Sequence, residues 1–211
     1  VRSVIYFGNP VTELIRDAIR AGHIGIIATP ASERKSQWVD APWCADNGCF
    51  TNVKFDVEEW HSWLWENVER KDLCVFATAP DVVGDAAATL DRSLPWLDKI
   101  REVGYPAAFV AQDGIEDTDV PWSEFDCLFL GGTTEFKLGP IAQEYAGRAK
   151  ARGKWLHMGR VNSLKRLRYA EYLDCDSADG THLTFRPDKY LGDVLHWMQT
   201  VHTEMPLELE W

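Results

Sequence analysis

The stretch from Asp174 to Thr181 (Asp-Cys-Asp-Ser-Ala-Asp-Gly-Thr) places three carboxylates within six residues, behind an apolar run and ahead of Gly180. Crowded carboxylates repel one another, and a pocket that gathers them tends to keep one charged and another protonated. Such a pair suits transfer at an anomeric carbon. One carboxylate attacks the sugar carbon while a second moves a proton on the leaving group. An Asx-rich turn at a helix cap fits the same eight residues, so the stretch alone leaves both readings open. More polar residues punctuate the chain at intervals: Asp46, Asp81, Asp85, Gln112, Gly131, Gly132 and Arg160. Carboxylates, a Gln and the exposed amides after Gly131 can read the hydrogen-bonding edge of a purine. Phe50 and Phe185 can stack on a base.

Each of these residues follows a short β-branched or aromatic run. The runs are Ser3–Phe7, Ile24–Ala28, Trp43–Ala45, Leu73–Thr78, Ala107–Ala111, Cys127–Leu130 and Lys154–Met158, with an eighth strand entering the acidic cluster. Helical periodicity falls between them, over Val11–Ala21, Phe55–Lys71, Ala86–Val103, Pro140–Arg152, Leu164–Tyr172 and Pro187–His202. Alternation of this kind predicts α/β architecture, a compact (β/α)8 barrel with some crossovers reduced to loops. In such barrels the chemistry sits where the strands end. A doubly wound sheet is the competing architecture.

The 211 residues suit one catalytic barrel spanning the whole chain, and ten Trp with 45% hydrophobic residues promise a packed core. A net charge of −11 argues against wholesale wrapping by nucleic acid but leaves room for a local basic strip. Five cysteines without CxxC or CxC spacing read as reduced thiols. With no apolar run long enough for a membrane span and no signal peptide, a soluble cytoplasmic protein is expected. Dinucleotide, P-loop, GxSxG and HExxH signatures do not occur.

The motifs, taken in order, resemble the tRNA-guanine transglycosylase superfamily. Asp46-Asn-Gly-Cys-Phe50 is similar to its Asp-Ser-Gly-Gly-Phe/Tyr, and Ala79-Pro-Asp-Val-Val-Gly-Asp85 to the segment leading to its base-binding aspartate. Val110-Ala-Gln-Asp-Gly114, Leu130-Gly-Gly132 and His157-Met-Gly159 resemble its Val-Gln-Gly-Gly, Leu-Gly-Gly and Leu-Met-Gly. Asp176-Ser-Ala-Asp179 resembles its Asp-x-x-Asp, whose second member is the nucleophile. The resemblance covers most of residues 40–181. It implies that Asp179 attacks C1′, that Asp46 is the general acid/base, and that Asp85, Gln112, Gly131, Gly132, Phe50 and Met158 hold the base. Asp176 is the alternative nucleophile, because Asp176-Ser-Ala178 also matches archaeal relatives.

The family's zinc-site spacing is absent and the chain is short. These departures point to the branch, found in phages and bacterial modification systems, that inserts 7-deazaguanines into DNA. The expected partners are therefore DNA and a free 7-deazaguanine base, with no metal, no cofactor and no separate zinc-binding domain; location would be host cytoplasm for a phage protein, and a homodimer stays open. Arg160, Lys165 and Arg166 are the candidate phosphate contacts, although charged helix faces are more often simply solvated. Asp85 equally fits a helix N-cap, and His157 reads as a satisfied core or rim histidine. The competing functions are a tRNA-directed exchange, a nucleoside or base hydrolase, and an inactive nucleic-acid-binding barrel.

Overall fold

The apolar runs become eight parallel strands in a computed structural model that describes residues 4–31, 39–49 and 55–203. The strands are β1 Ile5–Gly8, β2 Gly25–Ala28, β3 Trp43–Ala45, β4 Cys74–Thr78, β5 Ala107–Ala111, β6 Cys127–Leu130, β7 Trp155–Met158 and β8 Ser177–Asp179. Each pairs with the next, and β1 returns to β8 with Ile5 opposite Ser177 and Phe7 opposite Asp179. The sheet is thus a closed (β/α)8 barrel, the architecture its alternating pattern predicts.

The outer layer holds α1 Glu13–Arg20, α2 Val57–Glu66, α3 Ala86–Val103, α4 Thr134–Lys137, α5 Pro140–Ala151, α6 Leu164–Tyr172, α7 His182–Phe185 and α8 Pro187–Thr203. Side chains cap several of them: Thr12, Asp56, Asp85 and Ser163 each accept from an amide of the first turn. Such caps contribute about 1 kcal/mol apiece. The long helix expected over Phe55–Lys71 is shorter. Buried Asn67 turns its side chain back to the Trp63 carbonyl, and a 3-10 helix takes over at Val68–Leu73. α3 continues through Pro95, whose exposed ring sits on the solvent side. The described part of the β2–β3 connection carries no helix.

Period-2 alternation divides the strand residues between two cores. Trp43, Trp60, Leu64, Tyr105 and Met158 pack in the layer between strands and helices. Phe7, Cys44, Phe76, Ala108 and Cys127 fill the barrel interior. Phe76 meets Phe7 and Phe129 edge to face across that interior, with ring centroids 6.3 and 6.2 Å apart. Burial of a side chain this size stabilises by about 1.5–3 kcal/mol, so the plug beneath the site is rigid. A Cβ on Gly25 would lie within 2.6 Å of the Phe7 ring, so that close approach needs glycine.

Candidate active site

Above the aromatic plug, the strand ends enclose a cavity of about 370 Å3. Its walls include Asp46 after β3, Thr78 at the end of β4 and Asp81 after it, Gln112 after β5, Gly131 and Gly132 after β6, Gly159 and Arg160 after β7, and Asp179 on β8. A larger groove of about 660 Å3 lies at the opposite end, lined by residues such as Ile19, Ile24, Leu195 and Met198. That groove has no carboxylate among its described lining residues, so the paired carboxylates belong to the smaller cavity.

Asp179 is fixed from two sides. His157 Nε2 lies 2.9 Å from its Oδ2, and the Arg160 amide donates to Oδ1 at 3.3 Å. His157 is fully buried among the rings of Phe7, Phe76 and Phe129. Behind it, Ser177 Oγ lies 2.9 Å from Nδ1 and accepts from Trp155 Nε1 at 2.8 Å. One arrangement of hydrogens satisfies every member of the chain: indole donates to hydroxyl, hydroxyl to Nδ1, and Nε2–H to the carboxylate. A neutral imidazole is enough for this. Arg160 adopts a left-handed backbone, φ 61°, which turns its amide toward Asp179, while the Val161 amide donates to the Asp179 carbonyl at 2.6 Å. Non-glycine residues take this conformation at a cost and only where surroundings impose it. A Cβ at Gly180 would strike the Tyr6 hydroxyl and Asn162, so glycine is what lets β8 end here.

Asp46 reaches the cavity from the other side of the barrel. Burial, and then the negative charge of Asp179, push its pKa up to about 7. Hydrogen bonds from the Gly48 and Asn47 amides oppose the rise without cancelling it. Two carboxylates thus meet one cavity in different environments: one is held by donors, the other keeps a proton near neutrality.

A third carboxylate organises the floor beside them. Asp81 is buried, accepting from Asn47 Nδ2 at 2.9 Å and from Gln112 Nε2 at 2.7 Å. Gln112 Oε1 accepts from the Gly84 amide at 2.9 Å, and Asn47 Nδ2 also reaches the Ala79 carbonyl. Burial raises the Asp81 pKa, and the two amide donors pull it back. Thr78 Oγ1 and Asn9 Oδ1 are buried without a hydrogen-bond partner among the described residues, and both residues line the cavity. Buried polar atoms left this way are costly unless water or a ligand satisfies them.

The structure gathers Asp179, Asp46, Gln112, Gly131, Gly132 and Arg160 around one cavity. Arg160 donates a guanidinium hydrogen to the Gly132 carbonyl, and Arg166 donates to the Arg160 carbonyl at 3.1 Å. Lys165 is exposed on α6, and buried Lys137 donates to the Gly159 carbonyl beneath the same turn.

Three expectations are corrected. Asp176 sits at the opposite end of β8, where its Oδ2 accepts from Lys150 and from the Leu156 amide at 2.9 and 2.8 Å. A strand of three residues is long enough to put the aspartate before it and the aspartate that ends it at opposite ends of the barrel. Asp85 is exposed and caps α3 by accepting from the Ala88 amide, so Asp81 takes the place given to it in the cavity. Met158 points into the helix-facing core, because strand alternation turns His157 inward instead. Phe50 lies outside the described residues. Asp81, Asn47 and His157 were within reach of the sequence through alternation and strand-end position, while their mutual hydrogen bonds were not.

No family model matches the chain, and no curated protein matches it either. Solved structures do. One described as native KDPGal has a TM-score of 0.53 at 12% identity, covering 94% of this chain and 93% of its own. KGPDC from Streptococcus mutans gives 0.57 at 10% identity, over 95% and 97%. Tryptophan synthase from M. tuberculosis, in an open form with BRD0059 bound, gives 0.56 at 12% identity, over 98% and 94%. At these identities the likeness establishes the barrel fold and stops there.

Proposed function

We propose that the protein is a transglycosylase that exchanges guanine in DNA for a 7-deazaguanine derivative through a covalent aspartyl intermediate. The observation that carries this reading is the contrast between Asp179 and Asp46 across one cavity, the first held by His157 and the Arg160 amide, the second with its pKa raised to about 7. Asp179 Oδ1, which has the longer and weaker of the two hydrogen bonds, attacks C1′ of the target nucleotide. The C1′–N bond breaks, its electron pair leaves with guanine, and Asp46 supplies the proton that lets guanine depart neutral. The incoming base then gives its proton to Asp46 and attacks C1′, and the electron pair of the ester bond returns to Asp179. Two inversions amount to retention at the sugar. General acid/base catalysis of this type is worth about 10^2–10^4 in rate.

Asp81, with Asn47 and Gln112 holding it, supports recognition of the base edge, and the unpartnered Thr78 hydroxyl offers a further contact. A volume of about 370 Å3 suits one nucleobase with its sugar. In duplex DNA the target nucleotide must leave the stack to reach such a recess. Arg160 and Arg166 stand at the rim for phosphate.

The test is to incubate the protein with guanine-labelled DNA and separately with labelled tRNA, each with and without a 7-deazaguanine base. Multiple-turnover release from DNA that requires the added base is the expected result, with at most one equivalent per enzyme released in its absence. Multiple turnovers without it would make the protein a hydrolase, release from tRNA alone would move the substrate, and no release from either would end the enzymatic reading.

A further inference from the structure

Phe185 is 78% exposed, while the next most exposed large apolar side chain among the described residues, Trp65, is at 51%. Phe185 also lines the mouth of the catalytic cavity, together with Thr181 and Thr184. An aromatic ring in water at the lip of a polar recess has a cost, and a partner that covers it recovers that cost. The ring is presented from a firm base. Leu183, in the same turn of α7, is fully buried against Gly8, and the His182 ring stacks on Tyr190 of α8 at 4.3 Å. The Phe185 amide itself is tied to the Thr181 carbonyl.

Charge around the ring identifies the partner. Arg186 and Lys189 are exposed in the turn that follows it, with Asp188 the acid among them. Lys165 and Arg166 stand at the start of α6, which packs on α8 as α7 does, and Arg160 lines the cavity between. In a chain of net charge −11, this is a basic flank beside an acidic recess. It fits a polyanion that lies along the α6–α7 side and sends one uncharged unit inward.

We infer that duplex DNA docks on this flank and that Phe185 is the wedge that enters the base stack at the gap left by the extruded nucleotide. This deepens, and rests on, the base-exchange reading. Apolar side chains inserted between base steps replace lost stacking with stacking on protein, which holds the helix open while chemistry proceeds. Single-stranded DNA has no gap to fill, so the wedge matters for duplex substrate above all.

The experiment compares kcat/KM for the same labelled guanine in duplex and in single-stranded DNA, using wild type, Phe185→Ala and Phe185→Trp. Duplexes carrying 2-aminopurine beside the target report unstacking directly. Phe185→Ala is expected to lower the duplex-to-single-strand ratio at least tenfold and to abolish the fluorescence rise, and Phe185→Trp to restore both. An unchanged ratio, or fluorescence that rises equally without the ring, overturns the wedge. Binding confined to structured RNA overturns the docking assignment. Should wild type exchange no base on any substrate, the base-exchange reading falls, while the fluorescence comparison still decides the wedge.

Discussion

Two aspartates three residues apart, one just before β8 and one at its end, have opposite fates. Asp176 meets Lys150 and a backbone amide at the N-terminal end of the strand, where it ties β8 to β7 and α5. Asp179 meets His157 and the Arg160 amide at the C-terminal end, facing a cavity that holds a second carboxylate. Barrel direction separates the two here: identical side chains make a structural ion pair at one face and line a cavity at the other, the face that carries the chemistry in barrels of this kind. The same division recurs on the β4–α3 segment, where exposed Asp85 caps a helix and buried Asp81 joins the cavity.

Substitutions can break or sharpen that contrast. Asp179→Asn is expected to lower exchange by roughly 10^3-fold or more, because the proposed nucleophile is gone, while thermal denaturation changes little. Loss of fold instead of activity would make Asp179 another Asp176. Asp46→Asn should cost about 10^2–10^4 in rate, and it has a pH signature. The folded protein holds the Asp46 proton at about 7 against 3.8 ordinarily, so this group favours the folded state at acid pH and that contribution is lost as pH rises toward 7. Denaturant titrations should therefore show Asp46→Asn gaining stability over wild type above pH 7, by about 2–4 kcal/mol, and gaining none near pH 4. Wild-type activity should fall as pH climbs past the same value.

His157→Gln keeps a donor but breaks the chain to Ser177. A drop of about 10–100-fold in kcat with KM little changed is expected if His157 orients Asp179. A parallel loss of kcat and stability would make it a packing residue. Asp176→Ala should do the reverse of Asp179→Asn, destabilising by roughly 1–3 kcal/mol through the stranded Leu156 amide, while Lys150 keeps Asp174 as a partner, with turnover per folded molecule retained. The smallest effect belongs to Asp85→Ala, about 1 kcal/mol for a lost cap, measured by thermal denaturation. A collapse of base affinity there would return Asp85 to the pocket.

Much of this was legible in the chain. The strand runs at 5–8, 25–28, 107–111 and 127–130 read as buried because nearly every residue in them is apolar, and a polar residue or a glycine pair stops each run where the cavity begins. Asp179, Asp46 and Gln112 were legible as strand-end residues of chemically able types. Asp176 against Asp179 was not, because the local sequence does not say where a three-residue strand starts; only pairing with β1 and β7 fixes that register. His157 and Met158 differ by one step of alternation, and motif likeness favoured the wrong one. The helix expected over 55–71 ended early because Asn67 is buried and bonds its own helix, a tertiary effect that periodicity does not carry.

The most direct measurement is to mix the protein with labelled DNA without the incoming base, denature, digest, and locate any nucleic-acid adduct by peptide mass. A sugar–ester bond on the Asp179 side chain, absent in Asp179→Asn and discharged when the 7-deazaguanine base is added before denaturation, is the predicted result. An adduct on Asp46 or Asp176, or guanine exchange with no adduct at any time, would contradict it.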